Sequence, residues 1–168
     1  MKTIHKISII LSVFMTMMLS NCAKSDKEFV HDSNTISQIV CKASYGTHGN
    51  GSSEGTEFRG VIYEYDKNEK LVAKDGKLVT DDGKDATGEE FTQQDVEGGY
   101  GRIIFEIPAP YMEIVDLSNI YLVATLDWDQ FITPSLTGRH DITGDGIIIT
   151  VKSGVGTTRQ YRIQGSFE

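Results

Sequence analysis

The chain has 168 residues, with 16 Lys and Arg against 24 Asp and Glu and a formal net charge of −8. An acidic surface repels phosphate backbones, which sets nucleic-acid binding aside. Charge of this sign otherwise speaks to solubility and leaves mechanism open.

Lys2 and Lys6 give a basic start, residues 7–19 form an apolar run of 13, and Leu19-Ser20-Asn21-Cys22 closes it. A basic start, a short apolar core and a cleavage site describe a secretory signal. The run is too short to cross a membrane, which takes about 20 apolar residues. The ending resembles the lipobox of bacterial lipoproteins, with Asn21 where that motif usually has Gly, Ala or Ser. The resemblance implies that residues 1–21 are removed and that Cys22 is lipidated and becomes the first residue. The mature chain is then expected outside the cytoplasm, lipid-anchored at the outer membrane. Loss of Lys2 and Lys6 leaves 14 basic against 24 acidic residues, a net of −10.

With Cys22 lipidated, Cys41 has no partner for a disulfide, although exported chains are permitted them. It lies in Ile39-Val40-Cys41-Lys42-Ala43. Two readings stand: a small buried hydrophobe in a strand, the usual fate of a free cysteine, or a reactive thiol.

Residues 22–33 read as the lipid attachment point and a polar tether, short enough to hold the domain near the membrane. Surface-exposed lipoproteins of Bacteroidetes carry an acidic stretch behind the cysteine, and Lys24, Asp26 and Glu28 loosely resemble it. Display at the surface and at the periplasmic face both remain open. From Asn34 onward the periodicity is that of strands. Candidates are 35–45, 58–65, 71–73, 77–80, 102–107, 120–126, 147–151 and 158–163. Each is a short run rich in Val, Ile, Tyr and Thr, punctuated by Gly and Asp. No stretch sustains a helical apolar period, and one turn behind Pro110 is all that residues 111–117 allow. Residues 152–157 read as a hairpin loop and 143–146 as a turn; 45–55 and 81–99 read as loops. Residues 66–88 add short strands to one edge. The expectation is an all-β, antiparallel two-sheet sandwich of about 7–9 strands spanning 34–168.

A pattern in the last third carries a further resemblance. It runs Ile107-Pro108, Val115-Asp116-Leu117-Ser118-Asn119-Ile120 and Thr133-Pro134-Ser135-Leu136-Thr137-Gly138. It closes with 146–151 and Thr157-Thr158-Arg159-Gln160-Tyr161-Arg162-Ile163. This resembles uncharacterised lipoproteins of gut Bacteroidetes with immunoglobulin-like or cadherin-like sandwich domains. The resemblance implies a scaffold and a compartment, and no catalytic residue.

Two constellations bear on chemistry. Asp127 and Asp129 bracket Trp128, the single tryptophan. On a continued strand the two acids would point the same way, roughly 7 Å apart, as a glycosidase pair requires; the other reading makes them loop-entry acids after the strand 120–126. Trp128 is either packed over a sandwich end or an exposed apolar face for a sugar ring, with Asp127 or Asp129 accepting hydroxyl hydrogen bonds. Residues 141–146 resemble a calcium loop in which Asp141 and Asp145, with Asp116, would supply oxygen ligands; the EF-hand spacing is absent. Gly51-Ser52-Ser53-Glu54-Gly55 has the spacing of a G-x-S-x-G motif but falls in the 45–55 loop with no helix behind it, and His31, His48 and His140 are too scattered for a zinc pair.

The function expected is non-catalytic: recognition of a carbohydrate or a surface protein through loops at one end of the sandwich. The alternative is a structural or adhesive module that pairs a sheet edge or face with a partner protein.

Overall fold

The structure, a computed structural model, describes residues 31–43, 57–90 and 98–168. The predicted signal peptide, Cys22, tether residues 23–30, the 45–55 loop and residues 91–97 lie outside them. The described residues carry twelve strands: β1 (Ile36–Lys42), β2 (Glu57–Arg59), β3 (Val61–Tyr65), β4 (Leu71–Lys74), β5 (Lys77–Val79) and β6 (Asp85–Glu90) precede β7 (Tyr100–Ile107), β8 (Ile120–Leu126), β9 (Phe131–Thr133), β10 (Arg139–His140), β11 (Ile147–Lys152) and β12 (Thr158–Phe167). One sheet has the order β10-β8-β1-β2 and the other β6-β5-β4-β3-β7-β12-β11-β9. The fold is therefore an all-β sandwich of two sheets.

Period-two alternation decides which side chains fill it. In β7, Ile103, Phe105 and Ile107 turn inward while Arg102 and Glu106 stay out; in β12, Tyr161 and Ile163 do the same. Ile39 and Cys41 of β1, Ile120 and Leu122 of β8 and Ile149 and Val151 of β11 meet them in one core. Fully burying a side chain of this size is worth roughly 1.5–3 kcal/mol.

Three details depart from the sequence expectation. The sandwich is not wholly antiparallel, because β12 pairs with β7 in parallel, from Tyr161↔Gly101 to Phe167↔Ile107. The chain leaves the second sheet after β7, builds β8 in the first and returns, and such a crossover lets a parallel pair form. The run 58–65 is two strands, since it changes sheets at Gly60: β2 pairs with β1, and β3 pairs with β7. A side chain at Gly60 would meet Ile103 Cγ2 at 2.8 Å and Phe105 Cζ at 2.9 Å, so the corner presses on the core. Finally, β8 is covered on one face only. Ile120 and Leu122 are buried, whereas Val123 and Thr125 are exposed, although the unbroken apolar run Leu122-Val123-Ala124 by itself suits a strand covered on both faces.

Residues 66–88 do extend one edge, as β4, β5 and the start of β6, so 85–90 is strand and not loop. A 3-10 turn, Ala109–Tyr111, follows Pro108. Residues 31–33, read as the end of the tether, are hydrogen-bonded to the domain: the carbonyls of Asp32 and Ser33 accept from Thr157 Oγ1 at 2.9 Å and Gln130 Nε2 at 2.7 Å.

Cys41 is buried in β1, the structural one of the two readings. Burial pushes its thiol up to about 12, which leaves almost no thiolate near neutrality. A thiol reagent such as DTNB at pH 8 is expected to leave Cys41 unmodified in the native chain and to label it at once in denaturant. Labelling at the same rate in both conditions would overturn its placement.

Candidate functional site

Four segments meet at one end of the sandwich: 31–35 before β1, 127–130 between β8 and β9, the start of β9, and 153–157 between β11 and β12. Their register brings them together, because Ile36 lies opposite Leu126 and Phe131 opposite Lys152. The His31 carbonyl accepts from Val155 N–H at 3.4 Å, tying the first segment to the hairpin.

The turn 127–130 is built by its own side chains. Gln130, 8% exposed, accepts from the Asp127 N–H through Oε1 at 3.0 Å and donates through Nε2 to Ser33 O and Oγ, at 2.7 and 3.0 Å. The Asp127 carboxylate accepts from Ser33 Oγ at 3.1 Å and Ser37 Oγ at 3.3 Å. Asp129 has a φ of 61°, a left-handed conformation that Asp tolerates better than most residues. Its carboxylate lies 3.8 Å from His31 Nδ1.

The turn leaves Trp128 at its tip, 79% exposed, so the indole is not a plug over the core. Phe131, 66% exposed, and Val155, 53% exposed, belong to the same end. All three are large apolar side chains left in water at one loop-built end, the kind of surface that binding contacts use. Asp127 and Asp129 are loop-entry acids and do not share one strand face. β8 stops at Leu126, the two acids sit in a turn, and each takes a different partner. Both are exposed on the surface.

Beneath this end lies a polar group that sequence reasoning missed. Glu64 of β3 is fully buried, with Arg159 and Tyr161 of β12 and Asn34. Tyr161 Oη donates to Glu64 Oε1 at 2.5 Å, Arg159 Nη1 lies 3.4 Å from Glu64 Oε2, and Arg159 Nε donates to Asn34 Oδ1 at 3.2 Å. The Ile36 N–H also reaches Tyr161 Oη, at 3.4 Å. Burial is the largest influence on Glu64 and raises its carboxyl to about 7, although Tyr161 and Arg159 pull the other way. The network binds the segment entering β1 to the second sheet and so fixes the floor of the loop end.

Two of the three acids of the candidate calcium loop, Asp116 and Asp141, satisfy turns with their carboxylates. Asp116 Oδ1 accepts from Ser118 N–H at 3.0 Å and Oγ at 2.6 Å; Asp141 Oδ1 accepts from Thr143 N–H at 2.9 Å and Oγ1 at 2.6 Å. The Thr143 bonds hold the Asp141 carboxyl below the usual carboxylate range. The Asp145 carbonyl accepts from Arg162 at 2.8 Å. The two turns are neighbours through Ile142 N–H to Leu117 O, 2.9 Å. Among the described residues, no three His, Cys, Asp or Glu side chains are grouped to hold a metal ion.

Compared with protein-family models, with curated proteins and with solved structures, the chain finds no match.

Proposed function

We propose that the chain is a membrane-anchored, non-catalytic binding lipoprotein whose loop end recognises a carbohydrate or a surface protein. The observation that carries this reading is the exposed indole of Trp128, held out by a turn in which Asp127 and Gln130 are tied down. A flat apolar ring beside hydrogen-bond acceptors suits the C–H face and hydroxyls of a pyranose. Because Ser33 and Ser37 occupy Asp127, Asp129 and His31 are the polar groups beside Trp128 with the most room for ligand hydroxyls. Phe131 and Val155 widen the apolar area.

Anchoring supports a ligand presented near the cell envelope. The chain enters the domain at His31, at this same end. Eight residues, 23–30, separate it from a lipidated Cys22, a reach of roughly 30 Å when fully extended. The loop end then stays within reach of glycans and proteins of the outer membrane. Repeated hydrogen bonding between Gln130, Ser33 and Asp127 means that the turn is preformed, so little ordering cost falls on binding.

A glycan-array screen of the purified chain, with and without calcium, tests the reading. Reproducible binding is expected, with Trp128→Ala reducing retention about tenfold or more while the melting temperature stays within a degree or two, since an exposed side chain contributes little to the core. Binding that survives Trp128→Ala in a folded sample would move the site away from this end. A folded sample that retains no glycan leaves the surface-protein branch, for which capture of outer-membrane proteins that Trp128→Ala abolishes is the expected result.

A further inference from the structure

The first sheet has an open margin on the flank away from β1. β10 pairs with β8 at Ile120 and Tyr121 only, and the chain before it turns away at Gly138, whose φ is 94°. Residues 122–126 pair with β1 on one side. On the other, no described backbone pairs with them. In an antiparallel strand, alternate N–H and C=O groups point to each side, so this stretch presents a ladder with no partner strand.

Sheet margins elsewhere are guarded. β2 carries Glu57 and Arg59, with Glu57 paired to Lys42 at 2.7 Å. β6 carries Asp85 and Glu89, and β9 is three residues long and ends before Pro134, which has no N–H to offer. Charge, brevity and proline are the ordinary ways to stop a strand from joining another. The stretch Leu122-Val123-Ala124-Thr125-Leu126 has none of them. The apolar segment of β11 beyond β9, 147–149, is the other uncharged margin, and it is shorter.

The open ladder faces a groove of about 510 Å³ lined by Tyr121, Leu122, Val123, Ala124 and residues 135–138. The far wall is held in shape by Ser135 and Thr137, whose hydroxyls lie 2.8 Å apart, with Thr137 N–H donating to Ser135 Oγ at 3.1 Å. No lining residue is charged. Five strand residues run about 17 Å, enough for a ladder of several hydrogen bonds.

We propose that the groove along β8 receives an extended, uncharged peptide segment of another polypeptide, which adds to the first sheet as a strand in line with β10. Its backbone pairs with 122–126. Alternate side chains meet Leu122, Ala124 and Leu136 on one side and Val123 on the other, so apolar β-branched residues fit at every second position. The absence of charged wall residues selects against Lys, Arg, Asp and Glu within the paired span. The surface is separate from the Trp128 end and does not depend on the reading given to it.

Selection of a phage-displayed library of random heptapeptides on the purified full chain tests this directly. Enriched sequences are expected to alternate Val, Ile or Thr and to lack charge. Synthetic copies of them are then measured by fluorescence anisotropy. Two versions, N-methylated at odd or at even amides, separate strand pairing from apolar adsorption: one should weaken about tenfold or more and the other keep its affinity. Val123→Glu, at an exposed position, should weaken binding to a similar degree with an unchanged circular dichroism spectrum, and Trp128→Ala should leave it intact. The proposal is overturned if no peptide is enriched, if both methylated versions bind like the parent, or if Trp128→Ala alone abolishes binding. Concentration-dependent dimerisation that Val123→Glu removes would also overturn it, by assigning the edge to a second copy of the chain.

Discussion

Gly101→Ala is expected to cost this domain a large part of its stability. Position 101 lies in β7 between Glu64 of β3 and Tyr161 of β12, all three in one cross-strand row. With no side chain on the middle strand, the Tyr161 ring lies across it and its hydroxyl reaches Glu64. A methyl group at 101 would sit 2.2 Å from Tyr161 Cδ1 and Cε1. The ring has nowhere to go, since it is fully buried among the core of both sheets. Overpacking commonly costs 1–3 kcal/mol. Here it also breaks the hydrogen bond to a buried carboxyl, which adds about 1–3 kcal/mol for the group left unsatisfied. A total of about 4 kcal/mol is a large part of a stability of roughly 5–15 kcal/mol and corresponds to a fall in melting temperature of roughly 10–15 °C. Tyr161→Phe separates the two effects, because it keeps the ring and removes only the hydroxyl; it should fall by less than half as much. A melting temperature unmoved by Gly101→Ala would show that the ring does not occupy that row.

The row shows how far residue pattern carries and where it stops. Tyr161 and Ile163 were readable as inward residues from alternation alone, and the same count places Arg159 on their face. Glu64 follows Ile62 at the same spacing, so an acid on an apolar face was visible in the string. What the string does not carry is the pairing: β3 and β12 meet only through β7, and the parallel β7–β12 register brings Arg159 and Tyr161 to Glu64 across roughly a hundred residues of chain. Short strands were missed for another reason. β9, β10 and β6 have three, two and six residues with little apolar alternation, and they exist because neighbouring strands offer them a ladder. At the loop end, Trp128 was readable as a candidate but its exposure was not. Deciding that required the end of β8 at Leu126 and the hydrogen bonds of Gln130, a residue with no signal of its own. Val155 and His31 join the surface through tertiary contact alone.

Glu64 makes the domain more stable in mild acid than at alkaline pH, as far as this group is concerned. Its carboxyl ordinarily titrates at 4.5 and is raised to about 7 in the fold. The native state therefore binds the proton more tightly than the unfolded chain. Below pH 4.5 both states are protonated and there is no penalty. Between pH 4.5 and about 7 the native state holds more protons, so stability falls as pH rises; above that window the loss is complete, about 3 kcal/mol. Arg159 and Tyr161 are the charged and titratable groups that face it, and Tyr161 is itself raised well above its usual value, so it stays neutral throughout the window. The ion pair with Arg159 thus does not compensate the cost of burying the charge, as is common for pairs taken fully out of water. Glu64→Gln mimics the protonated form at every pH. The difference in melting temperature between the parent chain and Glu64→Gln should move in the variant's favour by roughly 10 °C from pH 5 to pH 8. The comparison cancels the titration of the exposed acids, which both chains share. A difference that stays constant across that range would mean that Glu64 titrates normally and that water reaches it in the folded state.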